Sequence, residues 1–158
     1  WPDSHLDWVR PGIMLYGISP IPSKTGKDYG LKPVMHLQSS LIAVNDVAAG
    51  DSVGYGACWH APRDTRLGIV ALGYGDGYPR HMKTGAPVSV NGHIVPLVGR
   101  VSMDMCAVDC STYPQAQVGD SVTLWGPGVP IEQVAACADT IAYELVCQLT
   151  GRVAMHVV

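Results

Sequence analysis

Charge is scarce in this sequence. Asp, Glu, Lys and Arg make up 15% of 158 residues, and the formal net charge is −3. A nucleic-acid binder relies on clustered Lys and Arg to neutralise phosphates; here the ten basic residues are scattered, which excludes that class. The only close lysine pair, Lys24 and Lys27, sits among Ser, Pro and Gly in what reads as a solvated loop. No apolar run reaches the ~18 residues needed to span a bilayer, so no spanning helix is predicted and a soluble protein is expected. The chain has no initial Met and no charged-then-apolar targeting segment. Trp1-Pro2-Asp3 reads as sequence from the middle of a longer chain.

Cysteine is also sparse. Five residues, an odd number without a secretory signal, argue against a disulfide framework and for a reducing, cytoplasmic setting. Cys106 and Cys110 are the one pair close enough to suggest a metal. They border a segment that alternates like a strand, and four strand residues span ~13 Å, too far to share an ion. No metal site is expected. No Ser-His-Asp order and no phosphate loop emerges, and the six His stand apart.

What the chain does have is apolar material, 47% of its residues, enough for the core of one domain with a short appendage. Residues 8 to 17 are apolar and broken early by Pro11-Gly12, which fits a tight turn and a short helical or irregular piece. Residues 18 to 33, rich in Ser, Pro, Gly and Lys, are the best linker candidate. Beyond Pro33, short apolar runs at 37–47, 66–74, 87–90, 93–98, 101–108 and 121–125 read as strands separated by turn residues. Asn91-Gly92 tolerates the positive φ angles of a type I′ turn and predicts a tight hairpin. Six such strands indicate a mainly β domain, a barrel or a sandwich. From 131 to 149 the apolar residues recur near the helical period, with Asp139-Thr140 placed to interrupt the run and cap a second short helix. Residues 152 to 158 read as a last strand.

Several local motifs have two readings each. In Gly54-Tyr55-Gly56 and Gly73-Tyr74-Gly75 the glycines either serve turns around a packed Tyr or let another chain or ligand approach it. Tyr74 runs into Gly75-Asp76-Gly77-Tyr78-Pro79-Arg80, which is a functional loop or a solvated hairpin tip. Met103, in Gly99-Arg100-Val101-Ser102-Met103-Asp104, and Tyr143, on the terminal helix, each read locally as core residues or as ligand contacts.

Taken together, and with Val9-Arg10-Pro11-Gly12-Ile13 and Ala142-Tyr143-Glu144, these fragments resemble the alanine racemases in order and spacing. The resemblance implies a pyridoxal-phosphate-dependent isomerase whose subunit is a (β/α)8 barrel followed by a mainly β domain. Residues 1–30 would be the barrel's tail and linker, and residues 31–158 the C-terminal β domain. Racemisation removes the α-proton from one face and returns one to the other, so two bases are needed. The resemblance implies that one is a lysine that also holds the cofactor and the other is Tyr55, acting from a neighbouring subunit of a homodimer. Arg10 would face the pyridine nitrogen, where a guanidinium donates a hydrogen bond without giving up its proton. The backbone N–H groups of Gly12 and Ile13 and the hydroxyl of Tyr143 would hold the cofactor phosphate. The N–H of Met103 would meet the substrate carboxylate. Tyr74, Arg80, Arg100, Asp104 and Ile141 would line the substrate entrance.

Lys24, Lys27, Lys32 and Lys83 match no catalytic position, so the cofactor lysine is expected in the absent barrel and this chain alone is expected to be inactive. Two rival readings are a free-standing β module for dimerisation or binding without catalysis, and a racemase of another small amino acid such as serine.

Overall fold

The computed structural model describes residues 6–157. The expectation for Trp1-Pro2-Asp3 therefore lies outside the described residues, as does Val158. The six strands predicted between residues 37 and 125 are all present in whole or in part. In chain order the strands are β1 (Leu37–Val47), β2 (Ser52–Val53), β3 (Trp59–His60), β4 (Thr65–Val70), β5 (Pro87–Val90), β6 (His93–Val98), β7 (Cys106–Asp109) and β8 (Ser121–Trp125). Two helices follow, α1 (Ile131–Cys137) and α2 (Ala142–Gln148).

Six strands close into an antiparallel barrel in the order β1-β4-β7-β6-β5-β8, with β8 returning to β1. Closure falls to β1, long enough at 11 residues to pair with two partners. Its first half runs against β8 (Gln38 opposite Thr123) and its second against β4 (Asn45 opposite Leu67). A register shift between Leu41 and Ala43 bends the strand from one neighbour to the other, as bulges do at barrel corners. The predicted hairpin joins β5 to β6, with Val90 opposite His93 and Asn91 and Gly92 both at positive φ. Leu41, Val70, Val88, Val95, Leu97, Val108, Val122 and Leu124 are buried in the main core, which closing the barrel creates without leaving a sheet edge.

A second, smaller core lies on the outer wall. Leu67, Val98 and Ala107 are covered there by Val53 and Trp59 of the β2–β3 ribbon. All four residues of β7 are consequently buried, Cys106 and Val108 in the main core and Ala107 under the ribbon. Burial pushes the Cys106 thiol up to about 12 and the Cys110 thiol up to about 11. A thiol held in its protonated form is a poor metal ligand, and the described residues contain no cluster of metal-binding side chains. No helix among them is long and apolar enough to cross a membrane.

Four expectations need correction. The strand expected at 101–108 forms only from Cys106; ahead of it, the Ser102 N–H donates to the Met105 carbonyl and closes a turn. The strand expected at 66–74 ends at Val70. Residues 152–157 form no strand, since their backbone joins no sheet. Asp139-Thr140 does interrupt the helical run, but Ile141 is the N-cap of α2 and no side chain caps it; the Thr140 hydroxyl bonds Glu144 instead.

The predicted linker is folded rather than loose. Ile18 and Gly26 are buried, and Glu132 of α1 accepts hydrogen bonds from the N–H groups of Ser19 (2.9 Å) and Gly26 (2.7 Å). Lys24 and Lys27 within it are exposed, as expected.

Candidate functional site

The predicted site residues fall into two groups. The first forms where the N-terminal segment meets α2. Pro11 leads into a short 3-10 turn, Gly12–Tyr16, anchored by the buried side chain of Ile13. With that anchor set, the Ile13 N–H points outward and donates to the Tyr143 hydroxyl at 3.2 Å. Gly12 holds a positive φ of 57°, which favours glycine, and a Cβ there would press on the same hydroxyl at 2.9 Å. α2 has seven residues, too few to be stable alone. Its one fully buried side chain, Leu145, fastens it to the core and leaves Tyr143 half exposed rather than packed inside. Ile13, Ile141 and Tyr143 line one hollow of about 350 Å³, with Lys24 at its margin.

The second group is built on loops at the barrel wall. Tyr55 sits at the tip of the β2–β3 ribbon, in the 3-10 turn Tyr55–Ala57, and is 70% exposed. Its base is fixed, because the ribbon packs through Val53 and Trp59 onto the outer core. The turn of residues 99–104 lies alongside; a Cβ on Gly54 would come within 3.8 Å of the Arg100 N. Farther along that turn, the Ser102 and Met103 carbonyls accept from the N–H groups of Tyr74 (2.9 Å) and Gly75 (2.8 Å). The Tyr74 turn is closed by the Asp76 carboxylate, which accepts from the Gly73 N–H at 2.9 Å. Met103 is half exposed, and its own N–H donates to none of the described residues. Arg80, His81, Arg100 and Cys58 line an open hollow of about 430 Å³ beside these loops. Two guanidinium groups at its rim make it suited to anions.

Tyr55, Tyr74, Met103, Asp104, Arg80 and Arg100 are thus neighbours along one face, and Gly12, Ile13, Tyr143 and Ile141 form another set. No hydrogen bond among the described residues joins the two sets. Arg10 is exposed and makes no hydrogen bond or ion pair with the described residues. Sequence reasoning missed Arg152, whose guanidinium bridges Asp76 (Nε–Oδ1, 3.1 Å) and Asp104 (Nη2–Oδ1, 2.5 Å). It also missed the Glu132 clamp on the linker. Neither has a local sequence signal, because each joins segments far apart in the chain. A separate, mainly apolar hollow of about 280 Å³ lies beneath residues 17–33; none of the predicted site residues lines it.

Residues 34–157 match the family model described as "Alanine racemase, C-terminal domain". The chain is 59% identical over 158 residues to the alanine racemase of Aeromonas hydrophila, covering all of this chain and 44% of that protein. Among solved structures, the biosynthetic alanine racemase of Pseudomonas aeruginosa superposes with a TM-score of 0.93 at 52% identity, over 96% of this chain and 42% of that one. An alanine racemase from Bartonella henselae, solved with covalently bound pyridoxal phosphate, gives a TM-score of 0.79 at 35% identity, over 89% and 39%. The chain spans less than half the length of the relatives it matches.

Proposed function

We propose, from the premise that this chain belongs to the alanine racemase family, that its loops complete a site interconverting L- and D-alanine with pyridoxal phosphate. The family's C-terminal domain is what residues 34–157 match; the substrate, the cofactor and the assembly are our reading. We take residues 1–30 as the tail of the preceding domain and its linker, place the cofactor lysine outside this chain, and assign the whole protein to the cytoplasm.

The first group fits a phosphate. The Ile13 N–H donates to the Tyr143 hydroxyl, which keeps its own proton to donate to a phosphate oxygen, and a bound phosphate would take the N–H in its turn. Glycine at position 12 keeps a side chain from pressing on that hydroxyl. Ile13, Gly12 and Tyr143 would therefore hold the cofactor's phosphate, and Arg10 would supply a permanent proton donor to its ring nitrogen. When bound, the cofactor supplies the electron-withdrawing ring that makes an amino acid's α-proton removable.

The second group serves substrate. Tyr55 exchanges the proton at one face of Cα through its phenolic oxygen. A free phenol has a pKa near ~10, so this role needs cationic neighbours in the assembled site. The Met103 N–H, which donates to none of the described residues, receives the alanine carboxylate. Tyr74, Arg80, Arg100 and Asp104 line the approach together with Ile141 of the first group, and the two arginines attract the anionic end of a small amino acid.

The observation that carries this reading is the exposure of Tyr55, 70%, at the tip of a ribbon that no hydrogen bond among the described residues joins to the Ile13–Tyr143 pair. A phosphate cradle and a proton-exchanging tyrosine that projects into solvent fit a second copy, in which Tyr55 reaches the cofactor held by its partner in a homodimer. Proton exchange in D2O tests the role of Tyr55 in the full-length protein. Tyr55→Phe should lose α-proton exchange from L-alanine far more than from D-alanine. Equal losses from both would show that Tyr55 is not a face-specific base.

A further inference from the structure

We propose that Arg152 is a positioning residue for substrate, locking the Tyr74 turn to the Met103 turn so that the Met103 N–H is held in place. The inference rests on the proposed role of that N–H as the carboxylate donor. Three segments meet at this side chain. Its Nε lies 3.1 Å from Asp76, which itself closes the Tyr74 turn through the Gly73 N–H. Its Nη2 lies 2.5 Å from Asp104, the residue after Met103. Between the two carboxylates the guanidinium covers Gly75, where an added Cβ would fall 2.4 Å from Nη1. The backbone beneath is already joined, Gly75 N–H to Met103 carbonyl.

Arg152 is itself held from behind. Thr150 donates its hydroxyl to the Gly75 carbonyl (2.9 Å) and its N–H to the Asp76 carbonyl (3.2 Å). Its hydroxyl oxygen accepts from the Arg152 N–H at 3.3 Å.

A planar fork suits this place, because two carboxylates on different loops must be met at once from one rigid group. A lysine offers a single point charge and can hold only one of them firmly. The Arg152 ion pairs are half exposed, so their contribution to overall stability is small. Their consequence is local: they set where one N–H sits relative to its neighbours.

The test uses the full-length protein with pyridoxal phosphate. Arg152→Ala should raise KM for L-alanine roughly tenfold, the scale of one hydrogen bond to a charged group, with kcat little changed. The inhibition constant of propionate, a carboxylate without the amine, should rise by the same factor, and Arg152→Lys should recover part of the loss. Independently of turnover, deuterium uptake by peptides covering 73–78 and 101–105 should quicken in Arg152→Ala while the β5–β6 hairpin stays protected. Should Arg152→Ala unfold, Arg152→Gln keeps the stem packed and carries the same expectations. A racemising wild type whose Arg152 variants show unchanged KM and uptake overturns this inference alone. So does a fall in kcat and thermal midpoint with no change in propionate inhibition, which marks a merely structural side chain. A wild type that does not racemise alanine overturns the proposed function, and this inference with it.

Discussion

Gly54-Tyr55-Gly56 and Gly73-Tyr74-Gly75 are the same three residues in sequence, yet the glycines do opposite things. Around Tyr55 they supply conformation: Gly54 and Gly56 have φ of 79° and 74°, and nothing lies within 4 Å of where a Gly56 Cβ would be. Around Tyr74 they supply space. Gly73 has an extended backbone that any residue adopts, but its Cβ would sit 2.3 Å from the Ser102 carbonyl oxygen and 2.4 Å from that of Met103. The first triplet projects a tyrosine, 70% exposed, away from its own chain; the second presses a tyrosine turn onto the loop beside it, leaving Tyr74 37% exposed. A glycine in sequence therefore does not say whether freedom or closeness is being used, and only the neighbours decide.

Substitutions can separate the two uses. The largest effect belongs to the projected tyrosine itself: Tyr55→Phe in the full-length protein should slow racemisation about 10²–10⁴-fold, the usual worth of a general acid–base group, with folding unaffected. Steady-state rates in both directions, alongside a thermal melt, check this. A loss under tenfold would remove the proton-exchange role.

Gly73→Ala comes next. The backbone it would strike belongs to the neighbouring loop and cannot swing aside, so the variant should lose about 3 kcal/mol, the upper end of overpacking costs. Denaturant unfolding measures it. Gly56→Ala should cost less, roughly 1–2 kcal/mol, the price of a left-handed residue with a side chain in open space. If the two glycine variants cost the same, the distinction between space and conformation fails. Tyr74→Phe should be the mildest, changing kcat/KM by less than about tenfold, because the proposed function gives Tyr74 a place along the approach and no proton to exchange.

The strands were legible in the sequence because each is an apolar run cut off by turn residues; the choice between barrel and sandwich was not, because closure rests on β1 pairing with both β8 and β4. Asn91-Gly92 even located the β5–β6 hairpin to the residue. The errors came where apolar alternation was present without a partner strand. Residues 101–105 curl into a turn around the Ser102 N–H, and residues 152–157 find no edge to join, because the barrel has already closed. The site was far less legible. Ile13 and Tyr143 are 130 residues apart and meet only through the fold; their pairing came from the family resemblance and from nothing in the local pattern. Tyr143 and Met103 read locally as core residues more readily than as ligand contacts, and only their exposure in the folded chain shows otherwise. Arg152 escaped notice altogether, since its two carboxylate partners sit on loops remote in sequence.

The central claim is that Tyr55 and the cofactor cradle of one chain serve different sites, and mixing subunits tests it most directly. In the full-length protein, Tyr55→Phe and Arg10→Glu should each give a nearly inactive homodimer. In a mixed dimer, one site receives both defects and the other receives neither. A one-to-one mixture with verified subunit exchange should then regain roughly a quarter of wild-type activity, since half the dimers are mixed and each keeps one of two sites. If instead the exchanged mixture stays as inactive as its parents, Tyr55 and Arg10 act within the same chain, and the account of a site shared between subunits is wrong.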